Sequence, residues 1–200
     1  MQALDEQDLD PDPIEQFRIW LEHARAAGQP EPDAMALATT GAGGKPAVRY
    51  VLLRGLDQRG FVFYTNAHSR KGRELAANPT AALAFRWWTV GRQVRVSGPV
   101  SPVEPTESDA YFANRPRGAQ LGAWASAQSE LLGSRADLDR SLAAVTTRFA
   151  GRDVPRPPWW GGLRVRPIEV EFWQGRADRL HDRLRYRLAA GRWWVQRLSP

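Results

Sequence analysis

The sequence predicts an α+β protein built on an antiparallel β-barrel. Several short segments rich in β-branched and aromatic residues follow one another at close spacing, separated by glycine-containing turns such as 41–45 and 57–60. Only a few helical segments accompany them, which favours a barrel with helices at its periphery. No internal repeat or low-complexity linker divides the 200 residues. We therefore expect a flexible acidic leader at 1–11 and a single domain at 12–200.

The first helix is predicted to start after the leader. Asp12 can cap it, and Pro13 suits its first position. Its apolar face consists of Ile14, Phe17, Trp20, Leu21 and Ala24, which recur at helical spacing before Gly28.

The strands are predicted from alternation and β-forming composition. The segments 35–40 and 46–54 flank a turn at 41–45, which indicates a hairpin. The remaining predicted strands are 61–65, 81–85, 93–100, 164–173, 179–188 and 193–198.

Three further helices are indicated by capping residues. Ser69 can cap a short helix that ends at Asn78-Pro79. Thr106 and Ser134 each precede an aspartate by three residues, a capping-box spacing. The helix after Ser134 carries on one side Leu138, Leu142, Val145 and Phe149.

Composition indicates a soluble cytoplasmic protein. Hydrophobic residues make up 42% and charged residues 25%, and there is no cysteine to form a disulfide or a thiolate metal site. The first residues, MQALDEQDLDPDP, are acidic, unlike a signal peptide, and no apolar run approaches the ~20 residues of a membrane span.

The net charge of +6 suggests nucleic-acid binding, but the distribution of the charge weakens that interpretation. Of the 28 basic residues, only Lys45 and Lys71 are lysines, and the 26 arginines are spread along the chain. We find no nucleic-acid-binding signature and predict no such partner. Arginine forks well onto phosphate, so a small phosphorylated ligand remains open.

Several familiar motifs are absent. The stretch GAGGKP (41–46) lacks the spacing of a P-loop and of GxGxxG, and a hairpin turn explains it better. The three histidines are scattered without HExxH, and no GxSxG is present, so we predict no metal and no serine-type hydrolysis.

Two basic segments are candidate anion sites. Arg70, Lys71 and Arg73 stand in the first turn of a predicted helix, where cations oppose the helix dipole unless an anion binds there. In a strand at 179–188, Arg179 and Arg183 would share one face with His181. From spacing alone, a solvated basic surface explains either segment equally well or slightly better.

Taken together, ordered segments make the chain similar to the pyridoxamine 5′-phosphate oxidase family from about residue 34 to residue 200. These segments are RYVLLRG (49–55), GFVFYTN (60–66), SRKG (69–72), RQVRVSG (92–98), YFANRPRGAQLGAWAS (111–126), QSE (128–130), VPRPPWWGG (154–162), EFWQG (171–175), RLHDR (179–183) and the closing RLSP.

The resemblance implies an FMN-binding split β-barrel, antiparallel and Greek-key-like, that forms a homodimer with FMN in clefts between subunits. The implied flavin contacts are Arg49, Leu52, Tyr64, Thr65, Arg70, Lys71, Gln93, Gln128, Ser129, Trp173 and Arg183, with Arg70 and Lys71 on the FMN phosphate. The implied contacts to the substrate phosphate are Arg54, Tyr111 and Arg115. Arg179 and His181 are implied to meet the substrate ring and to be the catalytic residues.

The implied activity is oxidation of pyridoxine and pyridoxamine 5′-phosphates by O2 to pyridoxal 5′-phosphate and hydrogen peroxide. There are two alternatives. One is a flavin oxidase acting on another reduced heteroaromatic, such as a dihydrophenazine precursor, and the other is a non-catalytic flavin- or B6-phosphate-binding protein.

Three residues depart from the family pattern: Arg54 replaces a usual lysine, Ala119 a usual serine and Arg86 a common proline. The leader also lacks the basic, tyrosine-containing segment that covers the substrate in some members.

Overall fold

The computed structural model describes residues 3–200. The strands in this part of the chain are β1 (Ala34–Thr40), β2 (Pro46–Leu52), β3 (Gly55–Asp57), β4 (Gly60–Asn66), β5 (Thr80–Trp87), β6 (Arg92–Pro102), β7 (Trp160–Val165), β8 (Glu169–Gln174), β9 (Asp182–Ala189) and β10 (Arg192–Arg197). The α-helices are α1 (Pro13–Ala26), α2 (Arg70–Ala77), α3 (Pro105–Ala113), α4 (Arg117–Ala125) and α5 (Arg135–Arg148). Short 3₁₀ turns cover Glu6–Asp8 and Ala177–Arg179.

The sheet is antiparallel throughout and curls around one core. Its main order is β10-β9-β8-β6-β5-β1-β2, and β3, β4 and β7 form a second path. The long strand β6 joins the two paths, because its first part pairs with β8 while Val100–Pro102 pairs with β7. This curled antiparallel sheet with peripheral helices confirms the predicted split barrel.

Helix α1 closes one side of the core, as its apolar periodicity predicts. Asp12 accepts a hydrogen bond from the backbone N–H of Ile14 at 2.8 Å, and Pro13 occupies the first turn. The ring of Phe17 lies 4.9 Å from that of Phe61 and 4.8 Å from that of Phe85, and it is fully buried. Removing such a ring from a packed core costs about 3–5 kcal/mol.

A smaller apolar cluster packs beneath α3, α4 and α5. Its buried members are Phe112, Leu121, Phe149, Val154 and Trp160. Ser134 caps α5 by accepting from the N–H of Asp137, as predicted. The cluster fixes α3 and α4 against β7 and so defines one wall of the site described below.

Some predicted boundaries are wrong. Thr106 does not cap α3: the helix starts at Pro105 after Glu104, because proline fits the first helical position without losing a hydrogen bond. The predicted strand 164–173 is two strands, β7 and β8, because Pro167 between them cannot donate to the ladder. Strand β3 and helix α4 were not anticipated.

The predicted strand 179–188 begins only at Asp182. Asp178 and Arg179 have φ of 55° and 62°, left-handed conformations that no strand contains. The alternation that placed Arg179 and His181 on the same strand face as Arg183 is therefore wrong.

The flexibility predicted for the leader stays a prediction, and Met1 and Gln2 lie outside the described residues. In the structure, the remainder of the leader contacts the end of the sheet. Leu4 is buried, and its N–H donates to Asp182 at 3.1 Å. Arg197 on β10 pairs with the carboxylates of Asp5 and Glu6 at 2.8 and 2.7 Å. Within residues 3–200, none of the helices has the length and apolar character needed to cross a membrane.

Candidate functional site

A cleft of about 750 Å³ opens between β2, β4, the start of α2 and the α3–α4 region. It brings together many of the residues that the sequence singled out. Those that line it are Arg49, Leu52, Arg54, Tyr64, Thr65, Lys71, Tyr111, Arg115 and Gln128. A smaller pocket of about 370 Å³ shares Arg49 and Lys71 with the cleft and adds Arg70 and Ser129.

The start of α2 is held close to the chain that precedes it. Ser69 is fully buried and accepts from the N–H of Gly72 at 3.3 Å, as expected of the cap. A Cβ at Gly72 would lie 2.2 Å from the carbonyl oxygen of Ala67, so only glycine fits there. This close approach holds Arg70 and Lys71 in the lining of the smaller pocket.

Lys71 is a buried cation without a carboxylate partner in the described chain. Its Nζ donates to Thr65 Oγ1 at 3.1 Å, Ser69 Oγ at 3.3 Å and Gln128 Oε1 at 3.4 Å. Burial, together with the nearby charge of Arg49, lowers the pKa of Lys71. Because a buried cation among neutral acceptors is costly, this arrangement favours an anionic ligand.

Two other cations of the pocket share one carboxylate. Glu74 on α2 accepts from Arg49 Nη2 and from Arg70 Nε, each at 2.8 Å.

Ser129, across the pocket, has a φ of 72°, which is unusual for a residue other than glycine. Backbone outliers of this kind concentrate at ligand-binding sites.

One wall of the cleft is aromatic. The rings of Tyr64 and Tyr111 stack in parallel with centroids 3.9 Å apart, and Trp160 continues the stack 5.3 Å from Tyr64. Burial is the main cause of the raised pKa of Tyr64, so the phenol stays protonated at neutral pH. Such a wall can pack against one end of a flat ring system.

Arg115 extends over this wall with an unused donor. Its guanidinium lies 4.7 Å from the ring centre of Trp160, and its Nη1 is buried with no hydrogen-bond partner in the described chain. Burial lowers the pKa of Arg115 as well. An orphaned guanidinium nitrogen in a cleft is a binding point for a ligand oxygen.

Two of the residues that depart from the family pattern, Arg54 and Ala119, line the cleft. Arg54 forms an ion pair with Asp33 at 2.6 Å, so part of its charge is already matched. Ala119 presents a methyl group in the same cleft, where a serine would offer a hydroxyl donor.

A second set of predicted site residues lies on the outer face of β6, β8 and β9. Gln93 pairs with Trp173, and Trp173 pairs with Arg183, so the three form a row across the strands. The ring of His181 lies 4.5 Å from that of Trp173. His181 Nδ1 accepts from the N–H of Arg176 at 3.1 Å, which leaves the proton of the neutral ring on Nε2.

Arg179 completes this second set from the 3₁₀ turn before β9. It is exposed, and it makes no hydrogen bond or ion pair with any described residue. Asp178 and Arg179 together form a left-handed pair, a conformation that costs on the order of 1–3 kcal/mol per residue. Neither Arg179 nor the other members of the second set line the cleft of the same chain.

Three residues close to the site were missed or left unexplained from the sequence. Glu74 lies four residues after Arg70, a helix ion-pair spacing that could have identified it. Glu171 pairs across β8 and β6 with Arg95, a relationship visible only once the register is known. Arg86 lies 3.9 Å over Trp88 and 5.1 Å over Trp173, and it neighbours Gln93 on the ladder.

Comparison of the sequence with known proteins identifies its family and its relatives. Residues 21–149 match the family described as pyridoxamine 5′-phosphate oxidase, and residues 160–200 match the pyridoxine 5′-phosphate oxidase C-terminal dimerisation region. A relative from Rubrobacter xylanophilus, named pyridoxine/pyridoxamine 5′-phosphate oxidase, is 58% identical over 99% of this chain and 91% of its own. A relative of the same name from Thermosynechococcus vestitus is 57% identical over 100% of this chain and 94% of its own.

Solved structures show the same fold. PhzG from Burkholderia lata, crystallised with tetrahydrophenazine-1-carboxylic acid, superposes with a TM-score of 0.94 at 35% identity, covering 100% of this chain and 99% of its own. A pyridoxamine 5′-phosphate oxidase-related, FMN-binding protein from Nostoc punctiforme superposes with a TM-score of 0.74 at 17% identity, covering all of both chains.

Proposed function

Because the chain belongs to the pyridoxamine 5′-phosphate oxidase family, we propose that it uses FMN to oxidise pyridoxine and pyridoxamine 5′-phosphates to pyridoxal 5′-phosphate. In this proposal O2 is the final acceptor and is reduced to hydrogen peroxide. With the amine substrate, water also supplies the aldehyde oxygen, and the nitrogen leaves as ammonia. The observation that carries the proposal is Lys71, a buried cation without an acid partner in the described chain. It lies at a helix start beside Arg49 and Arg70, a phosphate-binding arrangement. A cytoplasmic location remains our prediction.

The residues of the cleft fit the chemical parts of FMN. The smaller pocket, with Arg49, Arg70 and Lys71, suits the phosphate. The larger cleft has room for a flat ring, with Tyr64 and Thr65 along its wall. Gln128 lines the larger cleft and accepts a hydrogen bond from Lys71, which both pockets share.

A second copy of the chain would complete the site. Gln93, Trp173 and Arg183 face outward from the sheet and do not line the cleft of their own chain. Between them and the cleft, the outer sheet face carries small residues, namely Ala36, Ala38, Ala82 and Ala84, and β2 exposes 70% of Val48 and 80% of Tyr50. A two-fold dimer through this face would bring the outward row of one copy to the cleft of the other. The matched dimerisation region, which contains Trp173 and Arg183, supports this homodimer.

FMN, when bound, supplies the acceptor for a hydride from C4′ of the substrate and passes the electrons on to O2. The residues of the chain bind and orient the substrate. Arg115 Nη1, Tyr111 and Arg54 are the proposed contacts to the substrate phosphate. His181, with its proton on Nε2, donates to a polar group of the substrate ring and polarises it. Arg179 has an uncompensated charge with which to orient the ring and stabilise negative charge developing in it.

One observation favours a second candidate function. PhzG was crystallised with a reduced phenazine, and its fold matches this chain over its full length. The ion pair of Arg54 with Asp33 and the methyl group of Ala119 both weaken the proposed contact to a substrate phosphate. Oxidation of a reduced phenazine-type ring, with the same flavin site, is therefore the alternative. A binding protein without turnover would keep the flavin site but show no peroxide production.

The proposal is tested on the purified protein. We expect a yellow dimer with about one FMN per chain, and peroxide production with both B6 phosphates. The double variant Arg70→Ala with Lys71→Ala should lose FMN, whereas Arg135→Ala, an exposed arginine on α5, should retain it. A wild-type protein that takes up no added FMN would contradict the proposal. Peroxide formed only with a reduced phenazine would establish the alternative instead.

A further inference from the structure

We infer that Glu74 is a positioning residue that fixes Arg49 and Arg70 around a dianionic phosphate monoester. The inference rests on the proposed function, because it concerns the same phosphate pocket. It adds a residue that the family resemblance did not supply, and it specifies the charge state of the ligand.

The geometry around Glu74 joins three elements of the fold. One carboxylate oxygen accepts from Arg70 Nε on the same helix at 2.8 Å. The other accepts from Arg49 Nη2 on β2 at 2.8 Å and from Thr39 Oγ1 on β1 at 2.5 Å. The Glu74 side chain is only 11% exposed, so the carboxylate is a fixed anchor for both guanidinium groups.

The charges of the pocket sum to a value that matches a phosphate dianion. Arg49, Arg70 and Lys71 contribute three positive charges, and Glu74 contributes one negative charge, which leaves two positive charges. A phosphate monoester carries a charge of about −1.5 to −2 at pH 7. Lys71, the cation without a carboxylate partner in the described residues, would donate to the phosphate directly, while Glu74 holds the other two.

Glu74 keeps its charge throughout the physiological range. Burial by itself would raise the pKa of this carboxyl, but hydrogen bonds from Thr39, Arg70 and Arg49 outweigh that effect and lower it to about 2. The negative charge is therefore present whenever a phosphate dianion is present.

If Glu74 acts by positioning the two arginines, neutralising it should weaken phosphate binding. If only the net charge of the pocket matters, neutralising it should strengthen that binding. Without the carboxylate, the net charge of the pocket rises, and electrostatics alone would tighten phosphate binding. Positioning predicts weaker binding, because Arg49 and Arg70 lose their common anchor and repel each other. The sign of the change therefore decides between the two.

The experiment titrates apoprotein with FMN and, in parallel, with riboflavin, which lacks the phosphate, following flavin fluorescence. We expect the Kd for FMN to rise at least tenfold in Glu74→Gln while the Kd for riboflavin stays within twofold. Glu22→Gln removes an exposed carboxylate that pairs with Arg25, and it should leave both constants unchanged. An FMN Kd that is unchanged or lower in Glu74→Gln would overturn the inference. Wild-type protein that binds neither flavin would overturn the proposed function as well.

Glu74→Asp keeps the inference testable if Glu74→Gln does not fold. Aspartate preserves the charge but is one methylene shorter and cannot reach both guanidinium groups. Positioning predicts weaker FMN binding in this variant too, and wild-type affinity in Glu74→Asp would overturn it.

The charge state of the ligand is tested by pH on the wild type. The charged groups facing the pocket from β2 and α2 are Arg49, Arg70, Lys71 and Glu74, and the neighbouring Arg73 is paired with Glu130. Because the second phosphate pKa is about 6, the FMN Kd should rise as the pH falls from 7 to 5. The ratio to the riboflavin Kd removes pH effects that act on the flavin ring rather than on the phosphate, and a flat ratio would overturn the dianion assignment.

Discussion

The carboxylate of Glu171 is held bidentately by Arg183, whose Nε and Nη2 donate to its two oxygens at 2.9 and 3.2 Å. Glu171 is almost fully buried, and Arg95 contacts the same carboxylate from β6. Arg183 therefore points along the outer sheet face from a rigid base. On this face it neighbours Trp173, and both are proposed to meet the flavin of the partner copy.

Glu171→Gln should therefore damage both stability and flavin binding. Two arginines would lose their shared anion, and charged hydrogen bonds contribute about 1.5–3 kcal/mol each. We expect the free energy of unfolding of apoprotein to fall by on the order of 2 kcal/mol in urea denaturation. Glu169→Gln on the same strand, which loses only a partly exposed pair with Arg185, should change it by less than about 0.5 kcal/mol. Equal losses of unfolding free energy in the two variants would show that the bidentate pair stabilises the fold no more than the exposed pair does.

The lowered pKa of Glu74 predicts a pH-dependent stability. Hydrogen bonds from Thr39, Arg70 and Arg49 overcome the effect of burial and bring this pKa from 4.5 to about 2. A carboxyl whose pKa falls on folding stabilises the fold above its unfolded pKa, and this stabilisation is lost as the pH falls through the folded pKa. Wild-type apoprotein should therefore exceed Glu74→Gln in stability at pH 7, and the difference should shrink below about pH 4.5. Urea denaturation at pH 7, 5, 4 and 3 measures it, and a constant difference would refute the expected ionisation.

The shared site predicts complementation between two inactive variants. Arg70→Ala with Lys71→Ala damages the cleft, and Arg183→Ala damages the outward row. In a heterodimer of the two, one site combines the intact cleft with the intact row. Random mixing of equal amounts makes about half of the dimers mixed, so roughly a quarter of the wild-type FMN capacity should return. FMN bound per chain after co-refolding measures this recovery, and no gain over the separate variants would mean that each chain builds its own site.

Local signals carried most of the fold prediction. Asp12–Pro13 and Ser69 mark helix starts by chemistry that acts within one turn, and both helices begin where predicted. The left-handed turn at Asp178 and Arg179 has no such signal, because neither residue is glycine and the alternation around them resembles a strand.

Only part of the site could be predicted from the sequence. The cations at the start of α2 could be singled out because they oppose the helix dipole. The anchoring roles of Glu74 and Glu171 depend on contacts between strands and helices distant in sequence, such as Arg49 with Glu74. The division of the site residues between a cleft and an outer face also follows from the curl of the sheet rather than from any motif.

Arg115 predicts a preference for phosphorylated substrates. Its buried, unpartnered Nη1 can form a charge-assisted hydrogen bond with a substrate phosphate, worth about 1.5–3 kcal/mol. Arg115→Ala should raise the KM for pyridoxine 5′-phosphate at least tenfold while leaving the rate with unphosphorylated pyridoxine unchanged. Ala119→Ser, which adds a hydroxyl to the same cleft, should lower this KM modestly. Equal wild-type rates with pyridoxine and its phosphate would show that these residues serve another ligand.

Arg179 separates the proposed B6 oxidase from its alternatives. The residue is exposed in a left-handed turn, and the described chain gives its guanidinium no partner, so its charge is available to a ligand. Arg179→Met keeps the bulk of the stem but removes the charge, and the FMN content should stay at the wild-type level because Arg183 and the phosphate pocket are untouched. We expect kcat/KM for pyridoxine 5′-phosphate to fall at least tenfold, about 1.4 kcal/mol of transition-state stabilisation. Arg187→Met, an exposed arginine farther along β9, is the matched control and should retain full activity. If Arg179→Met oxidises pyridoxine 5′-phosphate as fast as the wild type, this arginine does not orient a B6 ring, and a reduced phenazine becomes the better substrate.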